Sequence, residues 1–126
     1  MTILITGVAG FIGSKLALEL LRDRKISVVG IDNLDNYYSV KLKKYRLNYL
    51  RKFKNFKFIK SDLTKKKDFK KINKLKKIDL IYHFAAQAGV RYTLSEPNKY
   101  FDNNIKAFFN LLEFCKNKKI KKVIFA

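Results

Sequence analysis

Three glycines stand at intervals of three, Gly7, Gly10 and Gly13, within Thr6-Gly7-Val8-Ala9-Gly10-Phe11-Ile12-Gly13. An apolar, β-branched run, Thr2 to Thr6, leads into them and a helical pattern leads away. Glycine at such a junction has a chemical use. A pyrophosphate approaches the backbone where the unpaired N–H groups of a helix N-terminus point outward, and a Cβ at the closest points would block it. An acid about twenty positions further on would then meet the ribose hydroxyls of an adenosine. Asp32 closes the second apolar run, Ser27 to Ile31, where that acid is needed. A carboxylate there repels a 2′-phosphate, so the pattern predicts NAD in preference to NADP.

The elements that would position these residues follow from periodicity. Phe11, Ile12, Leu16, Ala17, Leu20 and Leu21 recur at helical spacing opposite Lys15, Glu19, Arg22 and Asp23, giving strand, helix, strand within about thirty residues, one βαβ unit. Lys41 to Lys54 follows a helical spacing only roughly. Phe56 to Lys60 reads as a third strand, Lys65 to Leu75 as a short helix with Phe69, Ile72 and Leu75 inward, and Ile78 to Phe84 as a fourth strand. Residues 85–96 read as a polar loop. Pro97 opens a helix whose stripe is Phe101, Ile105, Phe108, Leu112 and Cys115, an apolar face expected to be partly exposed, and Val123 to Ala126 begins a fifth strand. Alternating strands and helices demand crossovers, so the fold class is α/β: a Rossmann-type doubly wound parallel sheet of about five strands, incomplete and ending in the fifth. All 126 residues are taken as the amino-terminal part of one such domain, without a substrate domain.

Composition bounds the function. At 48% hydrophobic the chain can bury a core, and one cysteine, Cys115, excludes a disulfide framework and a cysteine-based zinc module. No membrane span or signal peptide is visible, and a cytoplasmic setting is expected. The net charge of +19 lies almost wholly in residues 41–77, which carry seventeen Lys and Arg against two Asp. Lysine outnumbers arginine 24 to 5. Base-reading proteins favour the planar fork of arginine, so the surplus fits solvated helix faces, and no nucleic-acid partner is expected.

The likeness to a known family rests on longer blocks. They are the glycine turn, Asp32-Asn33-Leu34, Asp35-Asn36-Tyr37-Tyr38 with Leu42 and Arg46-Leu47, Ser61-Asp62-Leu63, His83 through Tyr92, Glu96-Pro97, and Tyr100-Phe101-Asp102-Asn103-Asn104. Together they resemble the extended short-chain dehydrogenase/reductases and, within them, the nucleotide-sugar epimerases, the later blocks being most like UDP-glucuronate 4-epimerases. The resemblance covers essentially the whole chain but only the first part of the family's. It implies that Gly7, Ala9, Gly10, Phe11, Ile12, Gly13, Asp32 and Asn33 cradle NAD, that Asp62 and Leu63 flank the adenine, that Ala85, Ala86 and Gln87 line the pyrophosphate and nicotinamide ribose, and that Asn104 lies near the nicotinamide. Ala107 departs from the family's frequent glycine. The substrate implied is a UDP-sugar.

The family's chemistry needs a Tyr-x-x-x-Lys pair and a nearby Ser or Thr arising after the fifth strand. The one Tyr-x-x-x-Lys here is Tyr37 to Lys41, assigned by the resemblance to a loop, so no catalytic residue is assigned and the 126 residues alone are expected to be inactive. Arg91 either contacts a substrate phosphate or carboxylate or pairs with Glu96. His83, beside Tyr82 and Phe84, reads as a packed, hydrogen-bonded histidine, and no metal site is assigned. Other readings stay open: a non-catalytic NAD-binding module or remnant completed by a second chain, a nucleotide-sugar dehydratase, a homodimer in full-length members, or a basic module binding nucleic acid with strong salt dependence.

Overall fold

The computed structural model describes residues 1–89 and 92–126. Five strands, β1 (Thr2–Thr6), β2 (Ser27–Asp32), β3 (Phe56–Lys60), β4 (Leu80–His83) and β5 (Val123–Phe125), pair in parallel in the order β3-β2-β1-β4-β5. The helices are α1 (Phe11–Leu21), α2 (Val40–Leu50), α3 (Phe69–Asn73), α4 (Tyr92–Ser95), α5 (Pro97–Phe101) and α6 (Ala107–Lys118). The chain moves outward from β1 through β2 to β3 and then returns past β1 to β4. This is the doubly wound arrangement expected, and a crevice opens at the carboxyl ends of the strands where the order reverses. Register brings those ends level: Thr6 lies opposite both Ile31 and His83, and Asp32 opposite Lys60.

A strand buried on both faces is apolar throughout, and β1 shows why. Leu4 packs with Val29, Ile31, Ile81 and residues of α3 and α6, whereas Ile3 and Ile5 pack with Val28 and residues of α1 and α2. Gly30 has a local reason. A Cβ on it would fall 2.6 Å from Cγ1 of Val8, so its bareness lets the residue directly after Gly7 pack onto the sheet.

The stretch 85–96, read as a polar loop, contains the short helix α4 (Tyr92–Ser95), and three further elements differ from the sequence expectation. Lys41 to Lys54 resolves into a regular α2, capped by Ser39, whose side chain accepts the Leu42 N–H. Its inward stripe is Lys43, Leu47 and Leu50. The helix expected over 65–75 is instead a tight 3₁₀ turn, Lys66–Asp68, followed by α3; Asp68 Oδ2 reaches back to accept the Asp62 N–H at 2.8 Å and tightens the entry. That bond outweighs desolvation and, with the charge of Lys71 as a lesser aid, holds the Asp68 carboxyl below its usual range.

The third difference is the stripe after Pro97. A π-helical turn, Asp102–Lys106, joins α5 to α6 and adds a residue to one turn. Beyond it Ala107, Asn110, Leu111, Phe114 and Cys115 face the core, while Phe101, Ile105 and Leu112 are exposed. Leu111→Ala is expected to cost about 2 to 5 kcal/mol in urea unfolding, and Phe109→Ala, at a side chain 58% exposed, within about 0.5 kcal/mol. Equal losses would contradict this face assignment.

His83 is buried as expected, with its ring stacked on Phe108 at 5.2 Å. Thr6 Oγ1 lies 2.7 Å from His83 Nδ1 and accepts the Ala85 N–H at 3.2 Å. The bridging proton is supplied by the threonine hydroxyl when Nδ1 is bare and by the ring when Nδ1 carries its hydrogen, since the hydroxyl keeps a second acceptor lone pair. Burial pulls the pKa from 6.5 down to about 4. Because the folded value is the lower, the unfolded chain protonates first as pH falls. The associated stability is complete above about pH 6.5 and is lost as pH drops toward 4, by on the order of 3 kcal/mol. Urea midpoints at pH 7 and 4.5 should show this slope in the parent chain and a much shallower one in His83→Asn.

Candidate functional site

Each of the three glycines of the turn meets a different physical demand. Gly7 has φ +70°, and a Cβ there would fall 2.8 Å from the Ala85 nitrogen and the Phe84 carbonyl carbon. A side chain at Gly13 would drive into the Gly7 carbonyl, so α1 can lie against the end of β1 only with glycine at that point. At Gly10 the nearest atoms are the Gly7 oxygen at 3.0 Å and Tyr38 Oη at 3.9 Å. Internal packing therefore requires two of the glycines, and the third faces the crevice.

Gly10 is the N-cap of α1 and provides no side-chain cap, and the first turn of α1 holds no acidic residue. The positive end of the helix thus opens into a cavity of about 510 Å³. Gly7, Gly10, Phe11, Ile12 and Gly13 form its floor, Asp32, Asn33, Asp62 and Leu63 one end, and Ala85, Ala86 and Gln87 the other. Phe11 and Ile12, 78% and 57% exposed, sit at the cavity mouth and not in the core stripe to which their spacing assigned them. The helix start projects beyond the sheet, so no core exists there for them to join.

Asp32, 8% exposed, is engaged on both oxygens: Oδ2 accepts the Ala9 N–H at 3.0 Å and Oδ1 the Leu34 N–H at 2.8 Å. Each oxygen keeps a second lone pair for a further donor. Ala9 is accordingly not a lining residue; its backbone ties the glycine turn to the end of β2. Asn104 does not line the cavity either. Its Oδ1 accepts the Gln87 N–H at 2.7 Å and holds the wall from behind. Arg91 lies outside the described residues. Tyr37 lines the cavity, but Lys41 stands exposed on α2, on a helix where a loop was expected, and is not part of the lining.

Several wall residues escaped the sequence reading. Lys43 is only 6% exposed; its Nζ donates to the Asp35 carbonyl at 2.7 Å and lies 4.3 Å over the Tyr38 ring. Arg46 Nη1 donates to the Ala9 carbonyl at 3.2 Å, and its guanidinium carbon lies 5.9 Å from the Phe11 ring centre. Two cations therefore border the cavity beside the glycine turn. The available signal was a lysine in register with Leu47 and Leu50, at spacings of four and three, where a solvated lysine does not belong. Ser61 Oγ is buried without a partner in the same wall. Among the described residues no three His, Cys, Asp or Glu side chains converge on a metal-sized site, and no helix is long and apolar enough to cross a membrane.

Comparison with known proteins agrees with this architecture. A curated UDP-glucuronate 4-epimerase from Thermodesulfobacterium geofontis is 46% identical over 123 residues, a match covering 98% of this chain and 38% of the relative. A solved UDP-glucuronic acid 4-epimerase from Bacillus cereus, a point variant in complex with UDP-4-deoxy-4-fluoro-glucuronic acid and NAD, superposes with a TM-score of 0.90 at 40% identity, over 99% of this chain and 39% of that one. The UDP-Glc/GlcNAc 4-epimerase of Campylobacter jejuni matches with a TM-score of 0.85 at 34% identity, over 98% of this chain and 36% of that one. The sequence thus spans well under half the length of these relatives. The family described as the NAD dependent epimerase/dehydratase family matches residues 3–126, and the chain, with its glycine turn, its terminal acid and its parallel sheet, belongs to it.

Proposed function

We propose that the cavity binds NAD and that these residues are the cofactor-holding part of a UDP-sugar 4-epimerase of the UDP-glucuronate kind. The observation that carries this reading is one continuous cavity running from Asp32, across the open N-terminus of α1, to Gln87. Lined from the ends of β2 and β3 past β1 to the segment after β4, it suits a molecule with two nucleoside halves joined by a pyrophosphate. The residues fit such a ligand. Gly10 leaves room for the backbone approach, the unpartnered Ser61 hydroxyl lies on the side of Asp32 and Asp62, and the charges of Lys43 and Arg46 flank the turn where anionic oxygens would pass.

In this reading Asp32 accepts the adenosine ribose hydroxyls on its unspent lone pairs, Asp62 and Leu63 border the adenine, and Ala85, Ala86 and Gln87 receive the other half. Bound NAD would supply reversible hydride acceptance at the sugar C4. The chain's own residues bind and orient; the family's proton-transfer pair has no counterpart among them, since Tyr37 and Lys41 do not share the cavity. The 126 residues alone are therefore expected to hold cofactor without turnover, and the UDP-sugar belongs to the whole protein.

Calorimetric titration with NAD and NADP tests the reading. The parent chain should prefer NAD by about tenfold or more, and Asp32→Ala should bring the two affinities nearly level. Because the ratio is read, a general loss of stability in the variant does not imitate the result. A folded parent chain that binds neither nucleotide would refute the proposal.

A further inference from the structure

The π turn has a consequence at the cavity. In an α-helix successive side chains diverge by about 100°, so two neighbours do not both serve one residue of a facing loop. Here they do. Asn104 Oδ1 accepts the backbone N–H of Gln87 at 2.7 Å, and Asn103 Nδ2 donates to Gln87 Oε1 at 2.9 Å. The widened turn, Asp102–Lys106, swings both asparagines toward the segment after β4, at the place where a helical irregularity most often marks function.

The pairing sets the polarity of the Gln87 carboxamide. Gln87 is 7% exposed and lines the cavity, and its Oε1 is taken by Asn103. One amide hydrogen leans on the Ala88 carbonyl at 3.4 Å, which keeps the nitrogen on that side; the second amide hydrogen has no partner among the described residues. An amide hydrogen left over in a cavity wall is free to donate to an acceptor that enters the cavity.

We infer that Asn103 is a positioning residue: by donating to Gln87 Oε1 it fixes the glutamine with its N–H toward the cavity, making the β4 end of the site a hydrogen-bond donor for the half of the dinucleotide distal to the adenosine. The inference rests on the dinucleotide reading above. Strand order supplies the assignment, since Asp32 at the end of β2 holds one end of the cavity and the segment after β4, beyond β1, holds the other.

Asn103→Asp is the informative variant, because it keeps the size of the side chain and replaces the donor with an acceptor. Facing a carboxylate, Gln87 must turn its nitrogen toward position 103 and its oxygen into the cavity. Binding of NAD and of ADP, which lacks the distal half, is measured for the parent chain, Asn103→Asp, Gln87→Ala and the double variant, with thermal melts confirming folding. Asn103→Asp should weaken NAD about tenfold and leave ADP unchanged. On the Gln87→Ala background it should have no further effect, because the residue acts through the glutamine. Equal weakening of NAD and ADP, or full additivity with Gln87→Ala, would overturn the inference while leaving the NAD reading intact. A folded parent chain that binds neither ligand would overturn both.

Discussion

The structure depends on the contact between the first turn of α1 and the end of β1. With Gly13 against the Gly7 carbonyl and Gly7 itself at positive φ, the helix approaches the strand closely enough for its N-terminus to open directly above the sheet edge. Everything at the site is measured from that point. Ala9 is placed where Asp32 can accept its N–H, and Arg46 reaches the Ala9 carbonyl from α2. Thr6, the last residue of β1, joins His83 and the Ala85 N–H on its other side. One tight backbone contact thereby fixes both ends of the cavity relative to its centre, and a Cβ at position 13 would disturb all of them together.

How much of this was legible in the sequence differs by element for physical reasons. Strands buried on both faces announce themselves as apolar runs, so β1 and β2 were found, as was the parallel order that their alternation with helices implies. The glycine turn and Asp32 were legible because their spacing is set by the backbone and not by side-chain packing. The stripe through α5 and α6 was read in part: Cys115 is buried and Phe101, Ile105 and Leu112 form the partly exposed face expected, whereas the buried Ala107, Leu111 and Phe114 were missed because a π turn leaves no mark in periodicity. Phe11 and Ile12 were misread for a different reason. Apolar residues at a helix start count toward a core stripe in any periodic analysis, although the helix has already left the sheet at that point.

Lys43 illustrates a subtler limit. Among seventeen basic residues in 41–77, its chemistry is ordinary, and only its register with Leu47 and Leu50 separates it from the rest. Burial of an ammonium group is costly unless it is compensated, and what compensates it here is a single carbonyl and an aromatic face. Sequence reasoning treats a lysine run as solvent-facing because it usually is. Only placement of α2 against the sheet turns one member of the run inward, toward the same opening that Asp32 borders.

The remaining charge falls into place once the topology is known. Apart from Lys43 and Arg46, every Lys and Arg of residues 41–77 is exposed. That stretch builds α2, β3 and α3, and its charge is spread over both ends of the sheet: Lys60 closes β3 opposite Asp32, whereas Lys76 and Lys77 lie beside Met1 at the amino ends of the strands. Solvated lysines of this kind contribute little to stability, and their interaction with one another is screened within about 10 Å at moderate salt. Their summed potential acts on whatever arrives. On the proposed NAD reading that potential would draw the anionic cofactor toward the protein, while Asp32 would disfavour a 2′-phosphate and Lys43 and Arg46 would match its charge. Steering and selection are therefore separate layers. The first is a property of composition that salt removes, and the second is a property of the close packing of α1 and α2 on β1 and β2, which salt leaves in place.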